Sequence, residues 1–266
     1  MGDRTTTITI LGNLSIRGQP RTEAAPSAPK EREVIALLLF NYARVVPVHQ
    51  LIDELWPAEP PRRARTALQT YILNLRRRLA RELDLPPAHV RTEVLVTRSE
   101  GYRFQLADCS FDLHEYLGLA GAGERAAADG DDVKAVELLR RAEKLWTGPV
   151  LPDIDHGLPL RSEITRLEQR RVAARELRIE SELRLGRHRE LVSELSMLVH
   201  QHPYHERFHE YLMFSLHRMD RRVEALEVFE RLRHALIREL GLEPSERVQN
   251  LRRGILGSDE VALVLT

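Results

Sequence analysis

The stretch RARTALQTYILNLRRRLAR, residues 63–81, carries six arginines and no acidic residue, in a chain of 266 residues whose 40 basic and 40 acidic side chains sum to zero. Leu68, Ile72, Leu75 and Leu79 recur at intervals of four, three and four, which predicts a helix with these four on one inward stripe. Thr66, Gln69, Thr70, Leu73, Asn74 and Arg77 then fall on the outward side. Seven arginines lie between Arg62 and Arg81. A solvated surface helix usually interleaves Glu with Arg to gain i,i+4 pairing. This one forgoes that pairing, so its negative partner is expected from outside the chain.

The flanks place this helix within a fold. Upstream, KEREVIALLLFNYARVV (30–46) reads as a first helix and VHQLIDELW (48–56) as a second, ended by WPAEPP. Pro61 is expected in the first turn of the third helix, where a missing N–H costs nothing. Before these, TITILGNLSIRG (7–18) alternates apolar and polar residues around Gly12 and Asn13, which predicts short strands, and RTEAAPSAP (21–29) is a connection. Downstream, VRTEVLVTRSEGYRFQL (90–106) reads as two β-rich runs closing at Ser99 to Gly101. Strands, three helices and a hairpin ending near Leu106 make a winged helix-turn-helix layout.

From Phe111 only helical periods remain, over 112–129, 131–146, 160–185, 188–201, 204–218, 221–239 and 245–255. LGRHRELVSELSMLVHQHP and HRMDRRVEALEVFERLRHA align at an offset of 34 residues, Gly186 on Asp220, and GDDVKAVELLRRAEKLW (130–146) has the same character. That period belongs to tetratricopeptide-like helical hairpins, whose stacked pairs share one core. The expected fold class is therefore mainly α: a winged helix in residues 1–106, an all-α tetratricopeptide-like domain in 107–257, and an unassigned tail, SDEVALVLT, in 258–266.

Charge follows the same division. Residues 1–106 hold 16 basic and 11 acidic side chains, and residues 107–266 hold 24 and 29, so the two parts carry opposite net charge of five. Cys109 is the one cysteine, which excludes an intrachain disulfide and suits a reducing compartment. MGDRTTTITI has no apolar signal core, and the longest apolar run, VIALLLF at 34–40, is far short of the ~20 residues that span a bilayer. A cytoplasmic protein with no membrane partner is expected.

The outward face of the third helix offers Asn and Gln, which bond adenine edges, beside hydroxyls and guanidiniums that suit guanine edges and phosphates. Double-stranded DNA supplies the missing negative charge, with counterion release adding to affinity. Arg98, at the hairpin tip, can reach phosphates or the minor groove. HERFH (205–209) points elsewhere, because H-E-x-x-H sets two histidines on one helical face as zinc ligands with a Glu as base. Pro203 should open a helix nearby, however, leaving His205 in the first turn, with Tyr204, Phe208, Tyr211 and Leu212 as the core face and His205, Arg207, His209 and Glu210 as a solvated flank. Asp131 and Asp132 read as an N-cap and a first-turn anion, and Asp153 and Asp155 fall in a Pro- and Gly-rich linker. Phosphate-loop, dinucleotide and nucleophile-elbow motifs are absent, so no reaction, metal or cofactor is called for.

LGNLSIRG, VVPVHQLIDELWPAEPPRRARTALQTYILNLRRRL and VLVTRSEGYRFQL resemble the DNA-binding domain of the SARP family, the Streptomyces antibiotic regulatory proteins. LLRRAEKLWTGPVLPDI, RLEQRRVAARELRIESELRLGRHRELVSEL and FERLRHALIRELGLEPS are similar to that family's bacterial transcriptional activation domain. The resemblance runs from about Thr7 to Leu256. It implies an OmpR-type winged helix that binds direct repeats near the −35 region of antibiotic-biosynthesis promoters, as a dimer on DNA, and recruits RNA polymerase holoenzyme. Carried onto this chain, it makes the third helix the recognition helix, with Arg62, Arg63, Arg65, Thr66, Gln69, Thr70, Asn74, Arg76 and Arg77 as DNA contacts. Thr97 and Arg98 fall on the wing, and Trp56, Ala58 and Glu59 lie where related regulators touch polymerase. No receiver or ATPase domain flanks these two, so the short, stand-alone form is expected. Leu73 is apolar where a polar reader would be expected, and suits a thymine methyl or a neighbouring protomer. Two other readings remain: a zinc-dependent peptidase using His205, Glu206 and His209, and a helical-repeat adaptor whose basic helix binds an acidic protein.

Overall fold

The computed structural model describes residues 6–18 and 22–257; the tail 258–266 and the start of the 21–29 connection lie outside the described residues. Two compact units divide the chain: Met1–Leu119 with Arg141–Arg171, and Ala120–Arg140 with Val172–Thr266.

In the first unit, β1 (Thr6–Thr9) and β2 (Ser15–Arg17) form the N-terminal hairpin, and β6 (Cys109–Phe111) pairs parallel to β1. The run VIALLLF forms α1 (Pro29–Phe40), with Val34 through Leu39 all buried, as a helix apolar on every side must be. Its end corrects the sequence reading. Asn41 sends both its backbone and side-chain N–H groups to the Leu37 carbonyl, at 3.2 and 3.0 Å, and Ala43 turns the chain at φ +61°. Val45–Pro47 then forms β3 instead of continuing the helix, since β-branched residues favour a strand once a neighbour is there to pair with. That neighbour is β5 (Gly101–Phe104), which also pairs with β4 (Leu95–Thr97), giving the order β3-β5-β4. Gly101 is required there, because a Cβ would stand 1.9 Å from the Val46 carbonyl oxygen.

Helix α2 (Val48–Leu55) buries Leu51 and Leu55, and α3 (Ala64–Glu82) buries Ala64, Leu68, Ile72, Leu75 and Leu79. Pro61 lies before α3, not in its first turn: its carbonyl accepts the Ala64 N–H at 2.9 Å and closes the preceding turn. The segment VRTEV is a second correction. A short turn, α4 (Pro87–His89), runs into a π-helical turn, Val90–Val94, which buries its two end valines on one side. The wing therefore starts at Leu95, and its tip, Ser99–Glu100, is closed by the Arg98 N–H on the Gly101 carbonyl at 2.8 Å.

Two buried carboxylates tie distant parts of this unit together. Asp112 accepts the N–H groups of Ile10 and Leu11, each at 2.9 Å, and burial pushes its carboxyl up to about 6 although those amides pull the other way. Glu54, on α2, accepts the N–H groups of Gly157 at 2.7 Å and Leu160 at 2.8 Å, which are unpaired donors at the start of the helix that opens at Leu158. Gly157 must be glycine, since a Cβ would lie 2.5 Å from the Glu54 carbonyl oxygen.

The helices α5 (Asp112–Ala128), α6 (Asp132–Glu143), α7 (Leu158–Arg184), α8 (His188–Gln201), α9 (Glu206–His217), α10 (Arg222–Leu240) and α11 (Glu246–Gly257) all start and end within three residues of the predicted spans. In the second unit the repeat is visible in its connections. Gly130, Gly186 and Asp220 all adopt positive φ, at 80°, 75° and 60°. The following N–H reaches back five residues in each, from Asp131 to Ala126, Arg187 to Glu182 and Arg221 to Leu216, at 2.9 to 3.0 Å. This is one helix-ending motif used three times. Helix α9 is the centre of the core, with every residue from Phe208 to Leu216 buried, and α8, α10 and α11 pack around it.

Candidate nucleic-acid interface

Opposite its buried stripe, α3 exposes Arg65, Thr66, Gln69, Thr70, Leu73 and Arg77, and Arg62 and Arg63 are exposed in the turn before it. Over the described residues, the guanidiniums of Arg62, Arg63, Arg65 and Arg77 have no hydrogen-bonding or ionic partner. Thr70 bonds the Thr66 carbonyl at 3.1 Å, the usual way a helical Thr satisfies its hydroxyl. Leu73 is 45% exposed, so it is a surface residue as its outward position predicts.

Two of the predicted DNA contacts on α3 are engaged with other elements of the fold. Asn74 is half-buried and donates to Glu31 of α1 at 2.8 Å. Arg76 donates through Nε to the Leu95 carbonyl and through Nη2 to the Thr97 hydroxyl, both at 2.8 Å, which ties α3 to the wing. Burial lowers its guanidinium from the ordinary value. Arg78 likewise reaches the carbonyls of Ala24 and Glu23, at 3.2 and 3.3 Å, and Arg81 pairs with Glu82 at 2.6 Å. Carbonyl bonds occupy donors without cancelling charge, so of these three arginines only Arg81 is neutralised.

Thr97 is exposed but holds Arg76, whereas Arg98 at the wing tip is exposed. Trp56 is half-buried against Tyr71 of α3, ring centroids 6.5 Å apart, and Ala58 and Glu59 are exposed in the turn that follows α2. A cleft of about 670 Å³ runs along the C-terminal flank of α3, lined by Leu73, Arg76, Arg77, Arg81, Leu85 and Arg91 among others. No sequence signal points to Arg91, which lies beyond the helix and reaches this flank only through the turn at Pro86 and Pro87.

The HERFH residues are committed elsewhere. His205 stacks on Phe208 at 4.2 Å and sets its Nε2 3.3 Å from Glu176, while Nδ1 of the buried His209 lies 3.2 Å from the His205 carbonyl. Glu206 accepts the Ser245 N–H at 2.7 Å. The expected solvated flank is corrected: His209 and Glu210 are buried, Glu210 pairs with Arg247 at 2.6 Å, and Tyr204, expected in the core, is 46% exposed. Helix α9 is enclosed by its neighbours on several sides, which a single amphipathic stripe cannot reveal. Among the described residues no group of three or more His, Cys, Asp or Glu is placed to hold a metal ion. Asp131 caps α6 through the Lys134 N–H at 3.0 Å, Asp132 pairs with Arg184 at 2.8 Å, and Asp153 pairs with Arg32.

A three-helix core with a β-wing, an exposed arginine- and threonine-bearing third helix, and a helical-repeat domain after it define a winged-helix transcriptional regulator. Residues 22–104 match the family described as transcriptional regulatory protein, C terminal, and residues 111–256 match the bacterial transcriptional activator domain. The regulatory protein DnrI of Streptomyces peucetius is 40% identical over 252 residues, covering 95% of this chain and 92% of that protein. The regulatory protein AfsR of Streptomyces coelicolor is 39% identical over 236 residues, which are 88% of this chain but only 23% of AfsR. The solved structure of Mycobacterium tuberculosis EmbR, in complex with a low-affinity phosphopeptide, superposes with a TM-score of 0.86 at 31% identity, covering 97% of this chain and 67% of that one. The chain belongs to the SARP family, with an OmpR-type winged helix and a bacterial transcriptional activator domain. Members of this family regulate transcription.

Proposed function

We propose that this chain is a sequence-specific activator of an antibiotic or other secondary-metabolite gene cluster. Residues 1–106 bind direct repeats near the −35 region, and residues 107–257 make protein contacts. The observation that carries this reading is the exposed face of α3: Arg65, Thr66, Gln69, Thr70, Leu73 and Arg77 stand along about 18 Å of helix, the length of its first three turns and a little more. Arg62, Arg63 and Arg98 extend the basic surface to either side, where phosphates flank a groove. Two protomers on repeats one helical turn apart set both recognition helices on one face of the duplex. The protein then works at the nucleoid, in the cytoplasm. Among the described residues no helix is long and apolar enough to cross a membrane.

Recruitment of polymerase is assigned to the exposed turn after α2, through Ala58 and Glu59 beside Trp56. In a transcription assay with purified holoenzyme, Ala58→Asp and Glu59→Arg are expected to keep promoter binding and to lose at least half of the activation. Unchanged activation by both variants removes the turn from the mechanism.

A further inference from the structure

A second cleft, remote from the exposed face of α3 in sequence, is built from the end of α1 and the first turns of α5 with the middle of α7, all within the first unit. Its volume is about 410 Å³, within the range of small-molecule sites. We propose that it binds a small ring-bearing organic acid, whose carboxylate sits on the Arg44 guanidinium and whose rings lie on its aromatic wall.

Arg44, Arg166 and Arg170 are the arginines that line the cleft. Glu163 is the one carboxylate among the lining residues, and it is engaged by Arg166 through an ion pair. Glu163 and Arg166 engage each other, so the guanidinium that offers its charge to an anion is that of Arg44. Arg44 has no acidic partner among the described residues, and it is held where it is. Its N–H bonds the Asn41 carbonyl at 2.9 Å, and the preceding N–H, on Ala43, bonds Phe104 of β5 at 2.9 Å. A guanidinium on an anchored turn loses less freedom on binding than one on a loose loop.

The wall is equally fixed. The Tyr42 hydroxyl donates to the Leu106 carbonyl at 2.5 Å and accepts the Leu106 N–H at 2.9 Å, and its ring meets His114 edge-on at 4.7 Å. Burial lowers the pKa of His114, so at neutral pH the imidazole adds an uncharged flat surface, not a further cation. Leu117 and Leu167 complete an apolar lining that a fully hydrated inorganic anion leaves unused. A guanidinium in a cleft with flat apolar walls suits a group with one anionic end and a planar body.

The full chain is titrated with 2-naphthoate and, separately, with the uncharged 2-naphthylmethanol, using ligand-detected saturation-transfer NMR without DNA. Success or failure is therefore independent of the DNA-binding reading. Naphthoate is expected to bind at a single saturable site and naphthylmethanol at least fivefold more weakly. Arg44→Ala should weaken naphthoate about tenfold, the scale of one charge-assisted hydrogen bond. Leu117→Trp should block it, and Arg238→Ala, an equal loss of charge on α10, should leave it unchanged. Arg44 is exposed, so its variant should unfold at the parent temperature, and Arg44→Lys should recover part of the affinity. No naphthoate binding, equal binding by the two probes, or equal affinity in Arg44→Ala and the parent overturns the proposal.

Discussion

Neighbouring arginines on α3 have different work. Arg76 spends its donors on Leu95 and Thr97, and Arg77 points to solvent. Replacing Arg76 by alanine is expected to lower folding stability by ~1–2 kcal/mol, because a buried carbonyl loses its donor and the wing loses its tie to the helix. Replacing Arg77 should leave the unfolding midpoint unchanged, weaken DNA binding by ~1–2 kcal/mol and reduce the salt slope by about one phosphate. Denaturant melts and anisotropy titrations at several salt concentrations separate the two; equal effects of both variants on both readouts refute the division. Asp112 gives a different signature. Its folded pKa, about 6, exceeds that of an unfolded aspartate, so folded protein binds the extra proton and this group's stabilisation is lost as pH rises from ~4 through ~6. The loss is ~1–3 kcal/mol at most, and Asp112→Asn should flatten that part of the stability profile. An unchanged slope in the variant means that the amides of Ile10 and Leu11 hold the carboxylate charged.

Element boundaries were legible where one apolar stripe repeats, as in α3, α8 and α10, and failed where a neighbour decides. NYARVV continues the helical pattern of α1 until Ala43 turns it, and only β5 makes a strand of Val45–Pro47. VRTEV looks β-rich because its apolar residues are valines, yet their spacing of four buries both on one helical side. The exposed face of α3 was readable residue by residue, except where a second element reached in to hold Asn74 and Arg76. Asp112 and Glu54 left no local trace, since their amide partners lie more than 100 residues away. The start of α3 adds a further test: Arg63 stands at the N-cap with no side-chain bond to the helix. Arg63→Asp should stabilise the protein by ~0.5–1 kcal/mol, through capping and the helix dipole, while weakening DNA binding. A variant both more stable and tighter on DNA refutes the placing of that helix end beside phosphates.

Over the whole molecule, a net charge of zero hides two parts of opposite charge, and the basic one carries the exposed face of α3. The acidic half does not compete for phosphate, so affinity should fall steeply with salt as if the winged helix acted alone. Glu54 joins α2 to the start of α7, and Glu54→Ala, which strands two buried amides, is expected to cost ~2–4 kcal/mol while Glu54→Gln costs less. Thermal melts of the pair check this, and equal midpoints for Ala and Gln contradict the cap. Whether α3 reads a repeated sequence is decided by selecting fragments of the source genome with the full chain at about 150 mM salt, beside a Thr70→Ala, Arg77→Ala variant. The bound pool is expected to share one short motif, repeated at about one helical turn upstream of biosynthetic genes and lost with the variant. A pool with no shared sequence, or one the variant enriches equally, contradicts that reading by α3.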